Sequence, residues 1–398
     1  MRVNRTTRIT MLALLITWLV IGAFGAGIGA TWLLLRPAAP EGEQATTFEL
    51  FWEAWHLVEN NFYGDLPDMH QVAWGAIRGA LNTLDDPHTT FLEPQPRQRE
   101  KEQLSGQFGG IGAYVNEAED GTISLDPMPD LPAERAGVLQ GDVLLRVDDR
   151  EITPEMSAED VVNLIRGEVG SIVRLTLRRE GQAEPIELEV QRQEIPSASV
   201  EWRMLEEAEG VGYARIALFS GRTALELEDA IADLKGQGMT RLVLDLRGNG
   251  GGLFDAGIDV ASEFLPDGVV VYQLEKGGKE LAYEVSRPAS LPNAPLALLV
   301  DGGTASASEI VAGALQDRGR AVLVGQKTYG KGTVQTVYDL SDGSSVHITY
   351  AEWLTPERRR ISGEGLAPDL DVAVSEEDRT QGRDPQLERA IEYLAAQG

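Results

Sequence analysis

Residues 296–335 read LALLVDGGTASASEIVAGALQDRGRAVLVGQKTYGKGTVQ. An apolar strand, Leu296 to Val300, runs into a glycine turn and a cluster of small hydroxyl residues. A helix, a second apolar strand and a glycine-flanked lysine follow. A serine on a tight turn at a helix start, with a lysine returning one strand later, is an arrangement that makes a hydroxyl nucleophilic without histidine. Ser306 and Lys331 are the candidate pair. Ser306-x-x-Glu309 is also a capping box, and on that reading alone the serine only caps the helix. Two features favour more. The turn is built almost entirely from small residues (Gly302, Gly303, Ala305, Ala307), which leaves room for a substrate backbone. A helix start also offers unpaired N–H groups to a developing oxyanion.

Working outward, Leu244 to Gly252 (LDLRGNGGG) is a strand entering a glycine-rich turn, whose amides face outward where side chains would obstruct. It matches neither GxxxxGK[ST] nor GxGxxG with a following helix and acidic partner, so it reads as an amide-donor loop. Burial of Lys331 beside an apolar strand would lower its pKa and free the neutral amine as a general base. Gln335, four residues on, is placed to orient it, and Lys327 is the rival lysine. The four histidines, His56, His70, His88 and His347, form no HExxH pattern, which disfavours a zinc hydrolase. A triad through His347 remains open. No metal or cofactor is called for.

Beyond Ile195 strands fit at Val211 to Ile216, Leu242 to Leu246, Leu296 to Val300 and Ala321 to Val324. Helices fit at about Thr223 to Lys235 and Ser308 to Asp317, an alternation that predicts an α/β layer with parallel strands. Gly106 to Gln193 changes to short alternating strands with one helix at Ala158 to Arg166, about the length of one small domain. Upstream, Phe48, Phe51, Trp55, Val58 and Phe62 recur at helical spacing and read as a packing stripe. A second helix fits Gln71 to Leu84, and DDPHTTFLEP (Asp85 to Pro94) ends that segment with turn chemistry.

Residues 11–35 carry no charge and are long enough to cross a bilayer, with Arg2, Arg5 and Arg8 before them. This predicts an uncleaved anchor with the short basic end cytoplasmic and the rest extracytoplasmic, periplasmic or extracellular; a cleaved signal peptide competes. The chain has no cysteine, which excludes a cysteine nucleophile, disulfides and thiolate metal sites. Its net charge of −28 argues against nucleic acid as a partner. The expected organisation is a cytoplasmic tip and transmembrane helix over 1–36, a linker over 37–46 and a helical segment over 47–104. A small domain over 105–193, a core over 194–375 and a carboxy-terminal helix over 376–398 follow.

The segment Thr304 to Gln335 resembles the catalytic signature of the carboxy-terminal processing peptidases (tail-specific proteases), which are serine–lysine endopeptidases. DDPHTTFLEP resembles that family's DDP segment, with His88 where an aromatic is usual. FGGIGAYV, PAERAGVLQGDVLLRVDD and LIRG, between Phe108 and Gly167, resemble its PDZ domain. LDLRGNGGG is similar to its glycine loop and LTPERRRISGEGLAPD to its late motif, with Arg358 where glycine is usual. The resemblance implies an α/β (α+β) core of the ClpP/crotonase kind with an inserted PDZ domain. It implies Ser306 as nucleophile, Lys331 as general base, Gln335 holding the lysine and Asp317 as acidic support. The oxyanion donors would be the amides of Ala307 and of Gly251 or Gly252. Gly109, Gly110, Ile111 and Gly112 would cradle a substrate's terminal carboxylate, by strand addition and backbone capture.

The function so implied is a membrane-anchored serine endopeptidase that cuts exported proteins near their carboxy termini. Its partners would be proteins or peptides with free carboxy termini, the membrane, and a second copy in a homo-oligomer. Two alternatives stand beside it: a catalytically silent PDZ scaffold that binds protein tails, and a crotonase-like acyl-CoA enzyme. The joint presence of Ser306, Lys331 and Gln335 speaks against the first, and an export segment with a PDZ insert against the second.

Overall fold

The computed structural model describes residues 43–397. They fall into two units, the first ending at Ala73 and the second beginning at Trp74. In the first, helix Glu43–Asn61 carries the aromatic stripe, yet Phe48, Val58 and Phe62 are exposed. Among the described residues the stripe is therefore not a buried packing face.

In the second unit, the decisive strand Leu296–Val300 is buried at all five positions. It lies inside a six-stranded sheet in the order Val200–Met204, Val211–Ile216, Arg241–Asp245, Leu296–Val300, Val322–Gly325, Leu370–Asp371. Every neighbour pair is parallel except the first. Residues alternate between two cores across this sheet. Leu242, Leu244, Leu298 and Val300 face one, with helices Thr223–Gly236, Phe254–Ser262 and Ala307–Asp317. Val243, Ala297, Leu299 and Val324 face the other, closed by helix Pro385–Ala395. Burial on both faces explains why these strands read as unbroken apolar runs.

Parallel register puts the loops after Asp245 and Val300 side by side at the carboxyl edge of the sheet. That edge is where open α/β sheets place their ligands. A second, five-stranded sheet stands over it, built on the long strand Ser345–Leu354, which pairs with Thr333–Asp339, Val269–Glu275 and Thr90–Leu92. The DDPHTTFLEP segment thus does more than end a helix: its TFL enters this sheet as an edge strand, Thr90 opposite His347.

Residues 113–191 form a separate six-stranded sheet with its own core of Leu125, Leu144, Val161, Val173, Leu175 and Leu177. Helix Ala158–Ile165 covers it, capped by Ser157 in a complete capping box with Asp160. The expected transmembrane helix is corrected here. Among the described residues no helix is long and apolar enough to cross a membrane, and residues 11–35, which suggested one, lie outside those described.

Candidate active site

The two carboxyl-edge loops are stitched together by side chains that the sequence supplies locally. Asp301 Oδ1 accepts from the amides of Gly248 (2.9 Å), Gly303 (2.9 Å) and Thr304 (3.1 Å). Thr304 Oγ1 donates to the Leu246 carbonyl at 2.9 Å, and Asn249 O accepts from the Ala305 amide (3.0 Å) and Ser308 Oγ (2.9 Å). The glycine loop and the serine turn therefore form one body. Gly251 must be glycine: at φ +103° a Cβ there would stand 2.7 Å from Ser306 Cβ.

Ser306 itself adopts φ 57°, ψ −118°, a conformation that an L residue holds at a cost of about 1–3 kcal/mol. Its amide donates to Glu309 Oε2 at 2.9 Å, while its hydroxyl makes no cap bond.

Glu309 is fully buried and gathers four donors. Oε2 accepts from the amides of Ser306 (2.9 Å) and Lys331 (2.9 Å), and Oε1 from the Gly330 amide (2.8 Å) and Thr328 Oγ1 (2.6 Å). One carboxylate thus holds the peptides of the candidate nucleophile and the candidate base together. Its place in the first turn of helix Ala307–Asp317 sets its charge against the helix dipole. Sequence reading saw Glu309 only as a cap; the buried run around it was the signal for more.

Ser306, Lys331, Gln335 and Gly252 line one cleft of about 430 Å³, whose apolar wall includes Leu253, Ile310 and Trp353. Burial pushes the Lys331 pKa below that of an ordinary lysine, with the Glu100 carboxylate opposing the shift. No hydrogen bond joins Ser306 Oγ to Lys331 Nζ among the described residues. Gln335 Nε2 donates to Thr333 Oγ1 (2.9 Å) and Thr349 Oγ1 (3.2 Å) rather than meeting the lysine. Ala307 is buried at the helix start, next to the serine. The Gly251 amide is taken by Asn249 Oδ1 at 2.9 Å.

Asp317 stands at the far end of the serine helix and does not line the cleft. It pairs with Arg359 and accepts the Glu357 amide at 2.8 Å, fixing the late motif. In that turn Arg358 takes φ 59°, the left-handed region glycine favours, and lays its guanidinium 4.1 Å from the Tyr272 ring centre. The late motif then packs on the lysine loop: Gly363 N donates to Gly330 O at 2.9 Å.

In the small domain, Gly110, Ile111 and Gly112 line an apolar groove with Val162, Ile165 and Ile195. Gly109 lies outside it, its carbonyl accepting the Gly167 amide at 3.1 Å. The groove is bordered by Ala113–Glu117, an edge strand of the six-stranded sheet, and by helix Ala158–Ile165.

Two family profiles match the chain, peptidase family S41 over residues 210–372 and the PDZ domain over 123–179, which together define a peptidase with a PDZ module. The carboxy-terminal processing protease CtpA of Bacillus subtilis (strain 168) is 34% identical over 358 residues, 89% of this chain and 75% of that protein. The carboxyl-terminal-processing protease of Synechocystis sp. is 34% identical over 371 residues, 87% of this chain and 86% of its own length. Among solved structures, a photosystem II D1 C-terminal processing protease is 35% identical, with 80% of this chain and 86% of that chain covered and a TM-score of 0.46. The chain belongs to the carboxy-terminal processing proteases of peptidase family S41.

Proposed function

We propose that this peptidase cleaves proteins near their carboxy termini by serine–lysine acyl transfer. Ser306 Oγ attacks the scissile carbonyl while its proton passes to the neutral Lys331 amine. The lysine then delivers that proton to the leaving amine, and water, deprotonated in turn by Lys331, releases the acyl group from Ser306. The observation that carries this reading is the pair of peptides tied to Glu309, with the serine held at positive φ and the lysine half-buried on the same cleft. A base must come within ~2.6–3.2 Å of its proton in the reacting complex, and unliganded sites are commonly looser.

The oxyanion donors are the amides of Ala307 and Gly252. Gly251 is disfavoured because Asn249 Oδ1 already holds its N–H, whereas Gly252 lines the cleft. Gln335 Oε1, which accepts no hydrogen bond among the described residues, orients the amine. The substrate tail adds as a strand along Ala113–Glu117, its terminal carboxylate at Gly110–Gly112 and its last apolar side chain between Val162 and Ile165.

The test is degradation of an unfolded protein with an apolar carboxy-terminal tail. Wild type should cut, and Ser306→Ala and Lys331→Ala, folded by thermal melt, should be inert. Equal cutting by all three would remove the mechanism. Val162→Asp, at a partly buried groove position, should raise KM for the tailed substrate while leaving an untailed peptide unaffected.

A further inference from the structure

The cleft holds three ionisable groups that the proposed chemistry does not use, Glu100, His347 and Asp255. Glu100, on helix Pro94–Ser105, and His347, on strand Ser345–Leu354, line it together with Lys331. Glu100 Oε2 lies 3.2 Å from His347 Nε2 and 2.6 Å from Arg97 Nη1. His347 Nε2 is buried where it meets this carboxylate.

We propose that Glu100, whose carboxylate lines the same half-buried cleft as the Lys331 amine, is a positioning residue that governs the protonation of that amine. The inference rests on the reading of Lys331 as general base. Each element packed around the lysine contributes a charged or titratable group. The helix supplies Glu100 and Arg97, while its Lys101 is engaged by Asp339 at 3.0 Å. The strand after the lysine supplies Asp339, which also takes Arg97 Nε at 2.8 Å. The long strand supplies His347, the 85–89 turn His88 with Asp86, and the glycine-loop side Asp255. Glu309 meets the lysine only through its backbone amide.

Among these, Glu100 is the carboxylate that favours the ammonium, against burial. The lysine's charge in turn adds to burial in lowering the His88 pKa, which Asp86 opposes. Burial also works against the Glu100 carboxylate, but His347 and Arg97 outweigh it and keep its pKa below the usual range. The carboxylate therefore stays charged where the lysine titrates. The sign follows directly: removing the Glu100 charge lowers the Lys331 pKa, and removing Arg97 leaves Glu100 less compensated and raises it.

The experiment measures reductive methylation of Lys331 against pH in the full chain, read by peptide mass spectrometry, beside the acid limb of kcat/KM. In Glu100→Gln the labelling midpoint should fall by on the order of one unit, making labelling up to about tenfold faster well below the midpoint. Glu100→Asp should restore it towards wild type, and Arg97→Gln should move it upward. An unmoved midpoint in a Glu100→Gln protein with wild-type Tm overturns the proposal. Should that variant not fold, an unmoved or lowered midpoint in Arg97→Gln overturns it equally. If the midpoint moves while the kcat/KM limb stays, Glu100 controls the lysine, and the assignment of Lys331 as base is what fails.

Discussion

Replacing Glu309 by glutamine is the sharpest probe of how this site is held. The side chain keeps its shape but exchanges one acceptor oxygen for an NH2 group. If that group falls at the Oε2 position, it faces the amides of Ser306 and Lys331; at Oε1 it faces the Gly330 amide and Thr328. Either way at least one buried amide loses its acceptor, at a cost of roughly 1–3 kcal/mol for each such group. In the first orientation Ser306 also loses the bond that opposes its strain of ~1–3 kcal/mol. If the turn relaxes by that amount, restoring the reactive geometry lowers kcat by roughly tenfold to a hundredfold. KM for a tailed peptide should change little, since the groove at Gly110–Gly112 shares no bond with Glu309. Steady-state kinetics on a tailed fluorogenic peptide, with a thermal melt alongside, reads both effects. A Glu309→Gln enzyme with wild-type kcat and Tm would refute the coupling and return the glutamate to a helix cap.

Gly251→Ala should abolish turnover without unfolding the chain, because its Cβ would enter the space of Ser306 Cβ at 2.7 Å; circular dichroism and the peptide assay check this. Asp317→Asn should lower Tm through the late motif while kcat falls less than in Glu309→Gln, as Asp317 binds Arg359 and the Glu357 amide and not the cleft. The wild-type kcat/KM should rise with pH along a limb whose midpoint lies below ordinary lysine, ~10.4, since burial lowers the Lys331 pKa and the neutral amine is the active form. Asp384, whose pKa is lowered against burial by Arg247, should contribute stability that is complete above the unfolded value of ~3.9 and lost as pH falls through the folded one. Denaturant melts of Asp384→Asn and wild type should accordingly converge in acid.

The parallel sheet was legible because its strands are buried on both faces: Leu242 to Leu244 and Leu296 to Val300 are uninterrupted apolar runs. The serine helix was legible from its small-residue turn. Less visible was anything depending on pairing across long stretches of chain. Thr90–Leu92 looked like turn because three residues carry no period, and only Ser345–Leu354 makes them a strand. Thr333–Asp339 was hidden in the same way, its exposed Val337 and Tyr338 alternating with nothing apolar enough to mark a core face. Helix Phe254–Ser262 has no side-chain cap, so no start signal announced it. In the cleft, Ser306 and Lys331 could be named from local chemistry. Glu100 and His347 could not, since they are brought together by that same unseen pairing of Thr90 with His347.

The same principle extends to the back of the glycine loop, where a residue with no catalytic look has the most bonds. Arg247 lies one position before Gly248 and is half-buried. Its guanidinium reaches Asp245 at 2.7 Å and Asp384 at 2.8 Å, and Gln386 Oε1 at 3.0 Å. Asp384 caps helix Pro385–Ala395 through the Leu387 amide at 3.0 Å, and Tyr213 closes the network on Asp245 at 2.7 Å. A planar guanidinium satisfied on both edges by carboxylates fixes direction as well as distance. The loop that presents Gly252 is therefore pinned from one side by Asp301 of the serine turn and from the other by the carboxy-terminal helix. A run of glycines has the freedom to adopt φ angles such as +103° at Gly251 and +145° at Gly252, and for the same reason no intrinsic tendency to stay there. Its order must come from neighbours, and the charged residues flanking the run supply it.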